Sequence, residues 1–123
     1  LHFWGSWCPP CQAEMPDLGK LHGQLGAAAH FRFVFLPVRE PAARSREWAK
    51  ARGLAIPIAD GGPAAAKDGA FLLADGRKIG DRDVARVFPT SYVLDRHGLV
   101  LFAHQGPVGD WAALAPLLRD AAR

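Results

Sequence analysis

The sequence predicts an α/β fold, a central mixed β-sheet flanked by helices on both faces. Three observations lead there. Short apolar or aromatic runs alternate with helical stretches in the order β, α, β, α, and such an order builds parallel strands through crossover helices. Two closing strands joined by Asp95-Arg96-His97-Gly98 add an antiparallel part before a last helix. Both cysteines of the chain, Cys8 and Cys11, fall at the first strand–helix junction, where exchange chemistry needs them.

Leu1 to Trp4 reads as a short buried strand. Cys8 to about Leu25 reads as a helix, with Met15, Leu18, Leu21, His22 and Leu25 at helical spacing. Phe31 to Val38 is aromatic and β-branched, the pattern of a central strand. Pro41 suits a helix start, and the segment through Arg52 ends before Gly53, with Trp48 as its main core contact.

From Leu54 to Val87 the periodicity weakens. Ile56-Pro57-Ile58 suggests a short strand, Gly61-Gly62-Pro63 a turn, and Phe71-Leu72-Leu73 before Asp75-Gly76 a hairpin. The stretch 62–87 as a whole reads as an irregular insertion. Ser91 to Leu94 and Leu99 to His104 are the closing strands. Asp110 is placed to cap a helix carrying Trp111, Leu114, Leu117 and Leu118. Pro116 lies too deep for a clean first turn, so that helix is expected to kink or begin late.

At 123 residues the chain, 1–123, is expected to be one domain, and with half of its residues hydrophobic it is globular. No apolar run approaches the roughly 20 residues that cross a bilayer. The net charge of +3 comes from scattered arginines without a basic run, which gives nucleic-acid binding little support. Two cysteines do not make a stapling framework. Leu1 already lies inside a strand, with neither an initiating Met nor a signal peptide. The expectation is an excised or processed domain whose upstream strand or anchor is missing.

The thiolate is the attacking species in disulfide exchange, and a helix N-terminus favours negative charge. Cys8 at the helix mouth is therefore expected to have a lowered pKa, and Cys11, one turn on, can reach back to close a disulfide. Such spacing beside a βαβ pattern is a known redox signature. Pro9 and Pro10 modify it. Both lack the N–H that would point at the Cys8 sulfur, which leaves the Cys11 N–H as its main backbone donor. Weaker thiolate stabilisation implies a less oxidising disulfide, hence a reductant. The alternative is that the prolines only stiffen the helix start.

His2-Phe3-Trp4-Gly5-Ser6-Trp7-Cys8-Pro9-Pro10-Cys11-Gln12-Ala13-Glu14-Met15-Pro16 and Phe88-Pro89-Thr90-Ser91-Tyr92-Val93-Leu94-Asp95-Arg96-His97-Gly98 together resemble the thioredoxin superfamily. Within it they are similar to the membrane-associated or secreted bacterial thiol-disulfide oxidoreductases related to TlpA, ResA and the cytochrome c maturation reductase DsbE. The resemblance covers nearly the whole chain apart from about Gly62 to Val87. It implies a thioredoxin-like fold, with Cys8 as exposed nucleophile and Cys11 as buried resolving thiol. It also implies that Pro89 is a cis-proline facing the disulfide, so that Phe88 offers its N–H and C=O to a substrate strand. The plain alternative is a trans Pro89 that merely starts a strand. Trp7, Pro9, Pro10 and Thr90 complete the implied substrate-binding surface.

His2 lies six positions before Cys8, where thioredoxins carry a buried acid. A neutral imidazole there could accept the Cys11 proton; otherwise His2 is a histidine at a frayed end. Glu14 matches an acid that tunes the thiols in ResA-like proteins, against the reading of a solvated helix residue. Pro16 matches the proline that bends the active-site helix. Thr90 stands where the cytochrome c reductases have an acid, which argues against a dedicated role in haem attachment. The charged stretch Ala70 to Arg86 runs into Phe88-Pro89 and is expected to shape the substrate groove.

The resemblance implies no cofactor and no metal. The expected partners are protein disulfide or dithiol substrates and an upstream thiol electron donor, which could be membrane-bound. A monomer in the periplasm or another extracytoplasmic compartment is expected, with an N-terminal membrane anchor as an option. Other classes fit less well. A disulfide oxidant or isomerase is the nearest alternative. A peroxiredoxin needs a Thr where this chain has Gly5. A thiol-based metal module would find its ligation blocked by Pro89, and a vestigial binding module would not need both cysteines.

Overall fold

The structure, a computed structural model, describes residues 1–26 and 30–121. Strand β1 (His2–Trp4) leads through a loop into helix α1 (Pro9–Leu25), and β2 (Phe35–Pro37) follows before α2 (Ala42–Ala51). The central segment contains α3 (Pro63–Asp68), β3 (Ala70–Leu72), β4 (Lys78–Gly80) and the single turn α4 (Asp81–Val84). Strands β5 (Thr90–Leu94) and β6 (Val100–Gln105) precede a 3₁₀ turn (Ala112–Leu114) and α5 (Ala115–Ala121). The main sheet has the order β2-β1-β5-β6, with β1 parallel to β2 and antiparallel to β5. The mixed sheet expected from the element order is thus present, and β1, which leads into the cysteines, is one of its inner strands.

Alternation along β1 sends Phe3 to one face and His2 and Trp4 to the other. Trp4 is wholly buried with Met15, Leu18 and Leu21 of α1, Phe35 of β2, and Trp111 and Leu118 from the C-terminal helices. Trp48 of α2 is only half-buried and packs on Trp4, with ring centroids 5.7 Å apart. The buried residues of α2 are instead Ala42, Ser45 and Ala49. Phe3 meets Phe71 and Tyr92 edge-on at 5.8 and 6.2 Å, with Val38, Val84 and Ala85 around them.

The segment 62–87 is therefore not irregular, as the sequence suggested. Gly62 and Pro63 open α3, and Gly69, at φ 64, ends it in the left-handed conformation that glycine adopts without a steric penalty. The expected hairpin forms as the pair β3–β4. Together these elements cover the second face of the sheet.

Two other expectations are corrected, and one is met. Residues 31–34 lie outside β2, since β1 offers only His2–Trp4 for pairing and the ladder begins at His2↔Phe35. Phe31 and Phe33 still pack against the core, so their aromatic character reflects burial and not pairing. Ile56-Pro57-Ile58 contributes one parallel bridge, Phe35↔Ile58, and no strand. The last helix begins late, as Pro116 predicted, after a 3₁₀ turn to which the Asp110 carboxylate adds a hydrogen bond from the Ala113 N–H at 3.3 Å.

Arg39 ties the central segment to the end of β2 through its own N–H, which Ala65 O accepts at 2.9 Å, and through its side chain. Arg39 has φ 59, the only non-glycine residue in the left-handed region among the described residues. Its guanidinium donates two hydrogen bonds to Asp81, at 2.7 and 3.0 Å. Asp81 is 2% exposed while the Arg39 side chain is 43% exposed. Removing the cation strands a buried carboxylate, whereas removing the acid leaves an arginine that water can still reach. Arg39→Ala is expected to cost about 2–3 kcal/mol in urea denaturation, and Asp81→Ala clearly less. Arg39→Gly should fall between them, because it loses the pair but relieves the left-handed backbone. Equal losses from all three would contradict this role for the pair.

Candidate active site

Cys8 is the N-cap of α1, with extended φ −101 and ψ 110, and Pro9 and Pro10 occupy the first turn. Its sulfur accepts the Cys11 N–H at 3.3 Å, the donor that the two prolines leave available. Cys8 and Cys11 are joined as a disulfide, with Cα atoms 5.2 Å apart.

The loop before Cys8 is held from beneath by Glu40, which is 3% exposed. One carboxylate oxygen accepts the Ser6 N–H at 2.9 Å and the Ser45 hydroxyl at 2.5 Å; the other accepts the Ser6 hydroxyl at 2.5 Å. Gln12 donates from its side chain to the Ser6 carbonyl at 2.6 Å, and the Cys8 N–H reaches Gly5 O at 3.2 Å. Trp7 folds back over Gly5, where an added Cβ would lie 2.1 Å from the indole nitrogen. Glycine at position 5 is thus required by the close approach of the ring. The indole N–H donates to Val38 O at 2.8 Å, leaving the ring 46% exposed beside the disulfide.

From the opposite side comes the loop before β5. The Phe88–Pro89 bond is cis, as the resemblance implied. The Phe88 carbonyl oxygen lies 3.4 Å from the Cys8 sulfur, and its N–H has no partner among the described residues. The Phe88 ring meets Trp7 edge-on at 5.6 Å.

Below the disulfide, Glu14 follows Cys11 by one turn of α1 and is 5% exposed, so it is not the solvated helix residue that sequence also allowed. One carboxylate oxygen accepts the Val108 N–H at 2.5 Å, and the other lies 3.5 Å from His2 Nε2. His2 is buried within β1, its Nδ1 2.8 Å from the Ser91 hydroxyl. Burial, and secondarily the positive chain terminus at Leu1, pushes the imidazole pKa down to about 3. Burial likewise raises that of Glu14, against the hydrogen bond from Val108. The Trp111 indole N–H faces the same carboxylate without a normal hydrogen bond, and His2 Nε2 and Glu14 Oε1 are also unpaired. Burial thus disfavours the charged form of each side chain.

Several expectations change. Cys8 is 4% exposed and Cys11 fully buried, so the nucleophile is not open to solvent while its sulfur is bonded to Cys11 and lies against the Phe88 carbonyl. Thr90, expected on the substrate-binding surface, is 1% exposed and turns its hydroxyl back to Val87 O at 2.6 Å. Pro89 is also fully buried, whereas Pro9, Pro10 and Trp7 face outward. Glu40, Ser6, Ser45 and Trp111 had no assigned part in the sequence reading of the site. No local pattern marks Glu40, whose partner Ser6 is 34 residues away. A cleft of about 800 Å³ lies between Phe31–Val34 and Val93–Asp95, and neither cysteine, Phe88 nor Pro89 lines it.

A dithiol pair on a helix N-terminus, faced by a cis-proline loop across a mixed sheet, defines a thioredoxin-like redox protein. Residues 1–115 match the Redoxin family, and the chain belongs to it. It is 27% identical over 106 residues to the thiol-disulfide oxidoreductase ResA of Halalkalibacterium halodurans, covering 86% of this chain and 52% of that protein. A DsbE homolog of Paracoccus denitrificans, a thiol:disulfide interchange protein, is 32% identical over 110 residues, 88% of this chain and 50% of that one. The solved thiol:disulfide interchange protein of the thioredoxin family from Chlorobium tepidum TLS superposes with a TM-score of 0.67 at 27% identity, covering 99% of this chain and 77% of that chain. The chain spans about half the length of the curated relatives it matches.

The His2 shift has a signed consequence. A histidine whose folded pKa is lowered from 6.5 to about 3 contributes stability that is fully present above 6.5 and is lost as pH falls toward 3. Glu14, raised from 4.5, acts oppositely: its contribution is present below 4.5 and lost as pH rises. Comparison with His2→Gln isolates the first effect. Between pH 6.5 and 5 the wild type should lose about 1–2 kcal/mol relative to the variant in urea denaturation. Parallel pH profiles would contradict a neutral, buried His2.

Proposed function

We propose that this chain is the thiol-disulfide oxidoreductase domain of an extracytoplasmic protein and reduces disulfides in partner proteins through Cys8 and Cys11. The observation that carries the direction of electron flow is the capping of Cys8. Its sulfur receives one backbone N–H, from Cys11, and the next two residues are prolines with none to give. A sparsely stabilised thiolate makes the dithiol form a better reductant.

In the reduced protein the Cys8 thiolate attacks one sulfur of a substrate disulfide. A Cys8–substrate bond forms, the substrate disulfide breaks, and one substrate thiolate leaves. The substrate backbone pairs with the open N–H and carbonyl of Phe88, which aligns its sulfur with Cys8. The Cys11 thiolate then attacks Cys8, forming Cys8–Cys11 and releasing the second substrate thiolate. Two electrons pass from the dithiol to the substrate disulfide. The protons lost by the two cysteines balance those taken up by the substrate thiolates.

Cys11 is buried, so its proton needs a nearby acceptor. Glu14, one helical turn below and made more basic by burial, is suited to take it as its carboxylate, with His2 beside it. A dithiol donor on the same side of the membrane returns the pair to its reduced form. The arrangement requires no prosthetic group for any of these steps.

Cys11→Ser should retain the first step and lose the second. Mixed with a disulfide-bonded protein such as insulin, it is expected to accumulate a covalent adduct through Cys8, seen by mass spectrometry without reductant. Cys8→Ser should form none. Absence of an adduct with Cys11→Ser would overturn the mechanism. His2→Ala and Glu14→Gln are expected to slow wild-type turnover and alter its pH profile between pH 6 and 9; unchanged profiles would remove the pair from the mechanism.

A further inference from the structure

The outer wall of the site carries two arginines that form no ion pair among the described residues. Arg82 of α4 lies with its guanidinium carbon 5.6 Å from the centre of the Phe88 ring and donates a hydrogen bond to Arg86 O. The Phe88 ring in turn packs on Trp7 at 5.6 Å, and its carbonyl faces the Cys8 sulfur. Arg82, Phe88 and Trp7 thus form a row beside the disulfide. Arg82, Arg86 and Val87 are all exposed.

The nearby acids accept hydrogen bonds elsewhere in the fold. Asp81 is buried in its pair with Arg39, Asp83 accepts the Gly80 N–H at 2.7 Å, and Glu40 is buried with Ser6 and Ser45. No carboxylate pairs with Arg82 or Arg86 among the described residues. Arg82 thus stands on the side of Phe88 along which a substrate strand would pass, with the exposed Arg86 further along the chain.

We propose that Arg82 and Arg86 select substrates in which the reacting cysteine is flanked by Asp or Glu. This rests on the reductase reading, because it presumes a cysteine-bearing strand paired along Phe88. A carboxylate next to the substrate cysteine then meets the guanidinium held over the Phe88 ring, where the aromatic wall excludes part of the solvent and strengthens the attraction. Opposite charges at such a position raise the rate of productive encounter, and a substrate lysine is repelled.

The test uses disulfide-linked homodimers of one short peptide, with Asp, Ser or Lys beside the cysteine, and the uncharged small disulfide 2-hydroxyethyl disulfide. The reduced wild-type protein should reduce the Asp peptide about 3–10-fold faster in kcat/KM than the Lys peptide, with the ratio narrowing as salt screens the charges. Arg82→Gln with Arg86→Gln should bring the ratio close to one, and Arg82→Lys should preserve most of it. Arg82→Glu with Arg86→Glu should invert it. Equal rates for the three peptides in the wild type, or a ratio unchanged in the double Gln variant, would overturn the arginine proposal. No reaction of the wild type with any peptide or with 2-hydroxyethyl disulfide would instead overturn the reductase reading beneath it.

Discussion

Val38, Arg39 and Glu40 lie just beyond β2, and three contacts made there decide where everything around the disulfide sits. The Val38 carbonyl takes the Trp7 indole N–H, Arg39 clasps Asp81, and the Glu40 carboxylate accepts from Ser6 and Ser45. The Glu40 bonds are the ones on which the site depends most. They fix the loop from Gly5 to Cys8, so that the Cys8 sulfur is presented at the first turn of α1 and against Phe88. A carboxylate this deeply buried is stable only with its acceptor capacity used, and it is used here by a backbone N–H and two hydroxyls. Arg39, next in sequence, extends the same support to the segment that covers the second face of the sheet.

Above this support, the chemistry of the two sulfurs is set by what surrounds each. Cys8 lies at a helix N-terminus, which favours its thiolate, but two prolines withhold the N–H groups that would favour it further. Cys11 is enclosed, with the Glu14 carboxyl, whose pKa burial raises, and the His2 imidazole, whose pKa burial lowers, below it. In the proposed mechanism the first thiol attacks, and the second acts once the mixed disulfide has formed. The distinction comes from backbone donors and solvation.

Much of this was legible locally. The Cys-x-x-Cys at a strand–helix junction, the helical spacing from Met15 to Leu25 and the Asp95–Gly98 turn are short-range patterns, and each formed where it was expected. The Cys11 N–H as donor to Cys8 followed from the chemistry of proline alone. The pattern misled where it reported burial and was read as pairing, as for Phe31 and Phe33. Within 62–87 the hairpin was legible, but the helices were not, because α3 has only 6 residues and α4 only 4, too short for a helical period to show. Pro63 at the start of α3 and Gly69 at its end were the readable signals. The supports of the site were hidden for another reason: Ser6–Glu40, Arg39–Asp81 and Glu14–Val108 join residues 34, 42 and 94 apart, and no local signal marks such pairs. The covering of Cys8 likewise depends on Phe88, 80 residues away.

On the proposed reading the Cys8/Cys11 dithiol donates electrons to other disulfides. Its most direct test is the equilibrium reduction potential of the pair, read by thiol alkylation and mass spectrometry after incubation in glutathione buffers of graded ratio. A value below about −220 mV is predicted, in the range where the dithiol reduces typical protein partners. A value near about −120 mV, that of a strong oxidant, would contradict the account.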